Sequence, residues 1–136
     1  MKAVLDTNIV MLGIFWAGHA RNILLLLEED QFDHICSKEI VEEYFATAEK
    51  LKARLRREDR GVINEILDMI IVRSHFGQVL PGAAPACRDP NDQMFLDLAV
   101  SAEAKYIVSG DKDLLTIGIY PGGSVIKPKP FLDSFF

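Results

Sequence analysis

Short apolar runs that stop at an acid alternate along this chain with longer stretches whose apolar residues recur every three or four positions. Lys2-Ala3-Val4-Leu5 is closed by Asp6, and Tyr106-Ile107-Val108-Ser109-Gly110 is closed by Asp111. Both read as buried strands, over 2–5 and 106–108. Gly18 to Glu29 predicts a helix with Ile23, Leu24 and Leu27 on one face, and Phe32 to Cys36 a short strand. Ser37 is an N-cap signal, with Glu39 in the turn that follows. That helix runs to about Leu51, its apolar stripe being Ile40, Val41, Tyr44, Phe45 and Ala48. Glu58 to Val72 predicts a third helix, carrying Ile63, Ile66, Leu67 and Ile70, with Gly61 weakening its start. Ser74 to Arg88 holds Gly77, Pro81, Gly82 and Pro85 and reads as a connection with a short strand around Val79. Asp89 caps the next helix, Pro90 takes its first position, and the apolar pattern carries it to about Ala104. A turn of helix over Asp111 to Leu115, a last strand over Ser124 to Ile126 and a short helix over Pro130 to Phe136 complete the reading. The apolar end of that last helix must bury either in this core or against another chain.

Strands alternating with helices predict an α/β fold with a parallel sheet between helices. The 136 residues suit one domain, 1–136, with one core. An apolar content of 49% and a charged content of 26% are ordinary for a soluble protein. The apolar stretch Val10 to Ala17, broken by Gly13, is too short to span a membrane, and Asp6 comes too early for a signal peptide. Cys36 and Cys87 have no metal-ligand spacing and read as reduced thiols in a cytoplasmic protein. A net charge of −5 argues against a protein that coats DNA, but not against a nuclease whose acids sit in one site. The basic run Lys50 to Arg57 is the one candidate phosphate-binding patch, and a solvated helix end explains it better.

The acids carry the candidate chemistry. Asp6 and Asp111 end apolar strands, Asp92 lies in the first turn of a helix, and Glu43 lies within another helix. Open α/β sheets bind ligands beyond the carboxyl ends of their strands, so such a fold gathers these groups. Gathered carboxylates repel one another and call for a divalent cation, which points to metal-dependent hydrolysis. Each acid also has a plainer role: Asp6 as a turn cap, Asp92 as a complement to the helix dipole, Asp111 as an Asp turn leading to Asp113. Spacing alone leaves Glu42 and Glu43 equivalent. His19, His34 and His75 are isolated from one another and read as surface or structural residues. No arrangement for covalent catalysis and no glycine-rich phosphate loop is present.

Taken in order, Leu5-Asp6-Thr7-Asn8, Ser37 with Glu43-Tyr44, Arg88-Asp89-Pro90-Asn91-Asp92 with Phe95-Leu96, and Val108-Ser109-Gly110-Asp111-Lys112-Asp113-Leu114-Leu115 resemble a PIN domain. The nearest branch is that of the VapC-like ribonucleases of toxin–antitoxin systems. The resemblance implies a three-layer α/β/α sandwich with a central parallel sheet. It implies an endoribonuclease dependent on Mg²⁺ or Mn²⁺. It makes Asp6, Glu43, Asp92 and Asp111 the metal-binding and catalytic quartet, with Asn8 and Ser109 in support, and it favours Glu43 over Glu42. Members often dimerise and are inhibited by a small antitoxin protein, so RNA, an antitoxin and a second copy are the implied partners. The other reading is a PIN-like RNA- or protein-binding module without turnover. A haloacid-dehalogenase phosphatase needs an acid where Asn8 stands, and a receiver domain needs paired acids at the first strand end.

Overall fold

The computed structural model describes residues 1–136 and builds them around a six-stranded sheet. β1 (Lys2–Leu5) leads to α1 (Thr7–Phe15) and α2 (His19–Glu28), then β2 (Asp33–Cys36), α3 (Lys38–Lys52), α4 (Arg60–Arg73) and β3 (Ser74–Phe76). The second half runs α5 (Gln93–Ser101), β4 (Tyr106–Val108), α6 (Lys112–Ile117), β5 (Ile119–Tyr120), β6 (Gly123–Ile126) and α7 (Pro128–Asp133). Helices flank the sheet, giving the α/β/α sandwich. The strand order is β3-β2-β1-β4-β6-β5, parallel throughout except for β5, which pairs antiparallel with β6. The chain therefore lays strands outward from β1 on one side, then returns to its other side with β4. The crevice of such a sheet opens at that reversal, beyond the carboxyl ends of β1 and β4.

Helix α1 was not read from the sequence. Asp6 caps it, accepting from the Asn8 N–H, but Ile9, Val10, Met11 and Ile14 are buried and so is Gly13. A helix apolar on nearly every side shows no period to read. Its far end is closed by Arg21, whose guanidinium donates to the carbonyls of Gly13 and Ile14 at 3.2 and 3.1 Å. Gly13 is where α1 crosses α2: a Cβ there would lie 2.6 Å from Leu24 Cδ1 and 2.9 Å from the Ala20 carbonyl oxygen. Gly13→Ala is expected to destabilise by about 1–2 kcal/mol, overpacking outweighing the better helix propensity. A urea midpoint that stays put or rises would show that α2 yields at no cost.

Two strands depart from the expected pattern. The strand after α4 begins at Ser74 and not near Val79. It is fixed by parallel pairing with β2, where Ser74 faces His34, and by a 2.7 Å hydrogen bond between Ser74 Oγ and His34 Nδ1. β5 is only two residues long and has no alternation to betray it. The start of the basic run is also different from expected: Lys52, the last residue of α3, is buried and donates to Glu49 at 2.8 Å and to Asn64, so it is a tie between α3 and α4. The terminal helix folds onto its own chain. Phe131 is fully buried, meeting Phe32, Tyr106 and Phe135 edge-on, while of the three terminal phenylalanines only Phe136 stands clear. No single helix is long and apolar enough to cross a membrane.

Candidate metal centre

β1 and β4 are adjacent and in register, with Leu5 opposite Val108, and the Asp6 N–H donates to the Val108 carbonyl at 3.1 Å. This pairing carries Asp6 and Ser109 out of the sheet side by side. The Ser109 hydroxyl donates to Asp6 Oδ2 at 2.5 Å and accepts the Asp111 N–H at 2.9 Å, linking two acids that are 105 positions apart through one buried oxygen. Asp111 in turn caps α6, its Oδ1 accepting the Asp113 N–H at 2.7 Å. Gly110 stands between them at an ordinary backbone angle, where a Cβ would meet nothing, so the turn does not depend on its being glycine.

Glu43 reaches the same corner from α3: the Thr7 hydroxyl, next to Asp6, donates to its carboxylate. Glu42 points elsewhere, exposed and 4.0 Å from Lys38. The neighbouring Tyr44 is buried, and its hydroxyl donates to the Leu5 carbonyl at 2.5 Å, so α3 is tied to the end of β1 just before Asp6. Ser37 Oγ caps α3 through the Ile40 N–H as its position foretells. His34, stacked on Tyr44, is wholly buried, and burial, helped by His75, lowers its pKa to about 3. It is a neutral structural residue.

Asp92 arrives from a tight turn of three residues, Pro90–Asp92, that leads into α5. Asp89 caps this turn through the Asn91 N–H. Asp92 is only 8% exposed, and its Oδ2 is buried without any hydrogen-bond partner. Burial, then the charges of Asp111, Asp6 and Asp89, push its carboxyl up to about 7. Burial also raises the Asp6 pKa, against the lowering effect of its bonds to Ser109 and Asn8, with Asp111 and Glu43 adding to the rise. The four acids thus feel one another's charge. An orphaned carboxylate oxygen in a buried acidic corner is the environment a hard divalent cation satisfies, and all-oxygen donors are what Mg²⁺ and Mn²⁺ prefer.

Two further acids join this corner. Asp89 and Asp113 each bring a carboxylate oxygen within 4.8 Å of one another and of Asp92. The sequence reading gave them only capping and turn roles. The signal available was spacing: Asp89 and Asp92 flank a proline-initiated turn, and Asp111 and Asp113 flank one residue. A cleft of about 510 Å³ opens beside the acids, lined by Asn8, Gly110 and Asp111 at one end and by Leu12 and Trp16 at the other. It meets a second hollow bordered by Lys127 and Lys129.

The pH dependence of stability follows from these shifts. The folded Asp92 carboxyl titrates near 7, above its ordinary 3.8, so its contribution is present in full at low pH and is lost as pH rises through that window. His34 acts oppositely, contributing above its ordinary 6.5 and losing that as pH falls toward 3. In EDTA, the stability of Asp92→Asn relative to wild type is expected to climb by about 1–2 kcal/mol between pH 4 and pH 8, a discounted value for a group at the edge of solvent. Urea melts at a series of pH values measure it. A difference that does not vary with pH would contradict the raised carboxyl.

An acidic crevice at the reversal point of an α/β/α sheet sets the class of protein. Residues 2–113 match the PIN domain family, and the chain belongs to that family, whose members are generally nucleases. Among solved structures, a chain from the crystal structure of VapBC2 from Rickettsia felis bound to a DNA fragment from their promoter is similar in fold. The TM-score is 0.62 over 93% of this chain and 98% of that one, at 17% identity. No curated protein matches the chain.

Proposed function

We propose that this chain is a metal-dependent endoribonuclease that hydrolyses RNA phosphodiester bonds and serves as the toxin of a type II toxin–antitoxin pair. The observation that carries the reading is the buried, unpartnered Asp92 oxygen beside Asp6 and Asp111. Asp6, Glu43, Asp92 and Asp111 would hold Mg²⁺ or Mn²⁺. When bound, the ion supplies a more nucleophilic water and stabilises charge on the phosphate oxygens. The chain's own groups do the positioning. Ser109 fixes Asp6 and the backbone of Asp111 through one hydroxyl, and Thr7 fixes Glu43. Asn8 lines the cleft with Asp111, and in this reading it would meet the RNA backbone. The cleft past Leu12 and Trp16 gives a polymer an approach to the acids.

The toxin role draws on family membership and on the fold shared with a VapBC2 chain. In this reading the partners are an RNA substrate, a cognate antitoxin and a second copy of the chain, and the place of work is the cytoplasm. The second reading, a module that binds RNA or protein without turnover, keeps the same acids. The deciding experiment incubates the purified protein and Asp92→Asn with structured and single-stranded RNA in Mg²⁺, Mn²⁺ or EDTA. Cleavage that needs metal and vanishes in the variant supports the nuclease. Metal binding without cleavage of any RNA favours the binding module.

A further inference from the structure

We propose that Arg88 is a catalytic residue of the acidic site: its guanidinium takes two oxygens of the scissile phosphate and offsets the negative charge that builds on them. The inference rests on the ribonuclease reading above. The need is set by charge. Asp6, Glu43, Asp92 and Asp111 share one corner with Asp89 and Asp113, six carboxylates in all. One divalent ion offsets two of those charges, and an RNA phosphate brings another negative one to the corner. Arg88 is the only cation paired with any of the six, its Nη1 standing 3.7 Å from Asp113 Oδ1.

That pair does little for stability. The Arg88 side chain is 80% exposed, and an exposed pair at that distance is weak. The backbone that carries it is held far more firmly than such a pair needs. From Gly77 to Asp89 the chain has no helix or strand, yet its last residues are strapped to the start of α5. Gln93 Oε1 accepts the Cys87 N–H at 2.6 Å, and Gln93 Nε2 donates to the Pro85 carbonyl at 3.0 Å and to Asp97 Oδ1 at 3.1 Å. Asp97 Oδ1 also accepts the Ala84 N–H at 3.2 Å, and Asp97 is buried, a carboxylate taken out of water to hold a loop. On the other side of Arg88, the Asp89 carboxylate is fixed by the Asn91 N–H at 2.9 Å. The result is a fixed backbone with a free head group: the guanidinium can leave Asp113 for a phosphate without moving the chain. Arginine suits the task because its planar fork meets two phosphate oxygens at once and keeps its protons throughout. Gln93 is a positioning residue, acting through Arg88.

The test compares wild type, Arg88→Ala, Arg88→Lys, Gln93→Ala and Arg88→Ala/Gln93→Ala in steady-state cleavage of RNA with Mn²⁺. Mn²⁺ affinity by calorimetry and a thermal melt in EDTA are measured beside it. Arg88→Ala is expected to lower kcat by about 10²-fold with a smaller change in KM, while Mn²⁺ binds at least as tightly and the melt stays put. Arg88→Lys should restore only part of the rate, a point charge in place of a fork. Gln93→Ala should lower kcat on its own and change nothing further in the Arg88→Ala background; an equal loss in both overturns its positioning role. Full cleavage by Arg88→Ala, or a loss that tracks weaker Mn²⁺ binding or a lower melt, overturns the proposal and leaves the ribonuclease reading standing. A wild type that cuts no RNA overturns both.

Discussion

Asp6→Asn is expected to lower metal-dependent RNA cleavage by about 10³-fold or more, to background, because several kcal/mol of transition-state stabilisation go with the ion. The fold should survive and gain slightly. An asparagine carboxamide can still accept the Asn8 N–H, and its amide can donate to Ser109 Oγ once that hydroxyl turns. The substitution also removes a buried like charge that Asp111 and Glu43 oppose. Gel-based cleavage rates and a thermal melt in EDTA, run on one preparation, separate these effects. A variant that is inactive because it is unfolded would mean that Asp6 is a structural cap first. A folded variant that still cuts would remove Asp6 from the site.

The largest effect on stability is expected at the other end of the chain. Phe131→Ala should cost about 3–5 kcal/mol, the usual loss for emptying a buried aromatic site. The ring is wholly inaccessible and lies 5.3 Å from Phe32, 5.9 Å from Tyr106 and 5.2 Å from Phe135. Its helix is six residues long and holds its place by this contact and by packing on α2. For a domain this size the melting temperature should fall by on the order of 10 °C or more. Calorimetry would show it. A fall of a degree or two would mean that α7 is an appendage and that the rest of the core stands without it.

The sequence was readable where local chemistry and tertiary packing demand the same residues. The Ser37 and Asp89 caps, the stripe of α3 and the strands ended by Asp6 and Asp111 all follow from capping, periodicity and run length. That Asp6 and Asp111 meet was inferable from strand ends alone, since any parallel sheet with β1 beside β4 delivers the pair. What escaped had no local signature. Helix α1 is buried nearly all round, β5 is two residues of edge strand, and β3 owes its register to His34, forty positions earlier. Glu43 was separable from Glu42 only by family resemblance, because the Thr7 hydroxyl that marks it comes from another element. The nearness of Asp89 and Asp113 to Asp92 was hidden, the first behind its cap on the Asn91 N–H and the second behind the Asp111 cap that its own N–H joins.

The central place of β1 has a consequence for how the molecule comes into being. Its neighbour β4 begins at Tyr106, and the Ser109–Asp6 bond closes a loop spanning 103 positions. Closing so long a loop is entropically costly, and contacts this distant in sequence slow folding. During synthesis from the N-terminus, Asp6 waits in an unfinished sheet while β2 and β3 can already form. Asp6 meets Ser109 and Asp111 only when β4 and the residues after it have emerged and docked. A chain that stops short of β4 cannot bring Asp6 and Asp111 together, so the gathered acids belong to the whole sheet and to no N-terminal fragment of it.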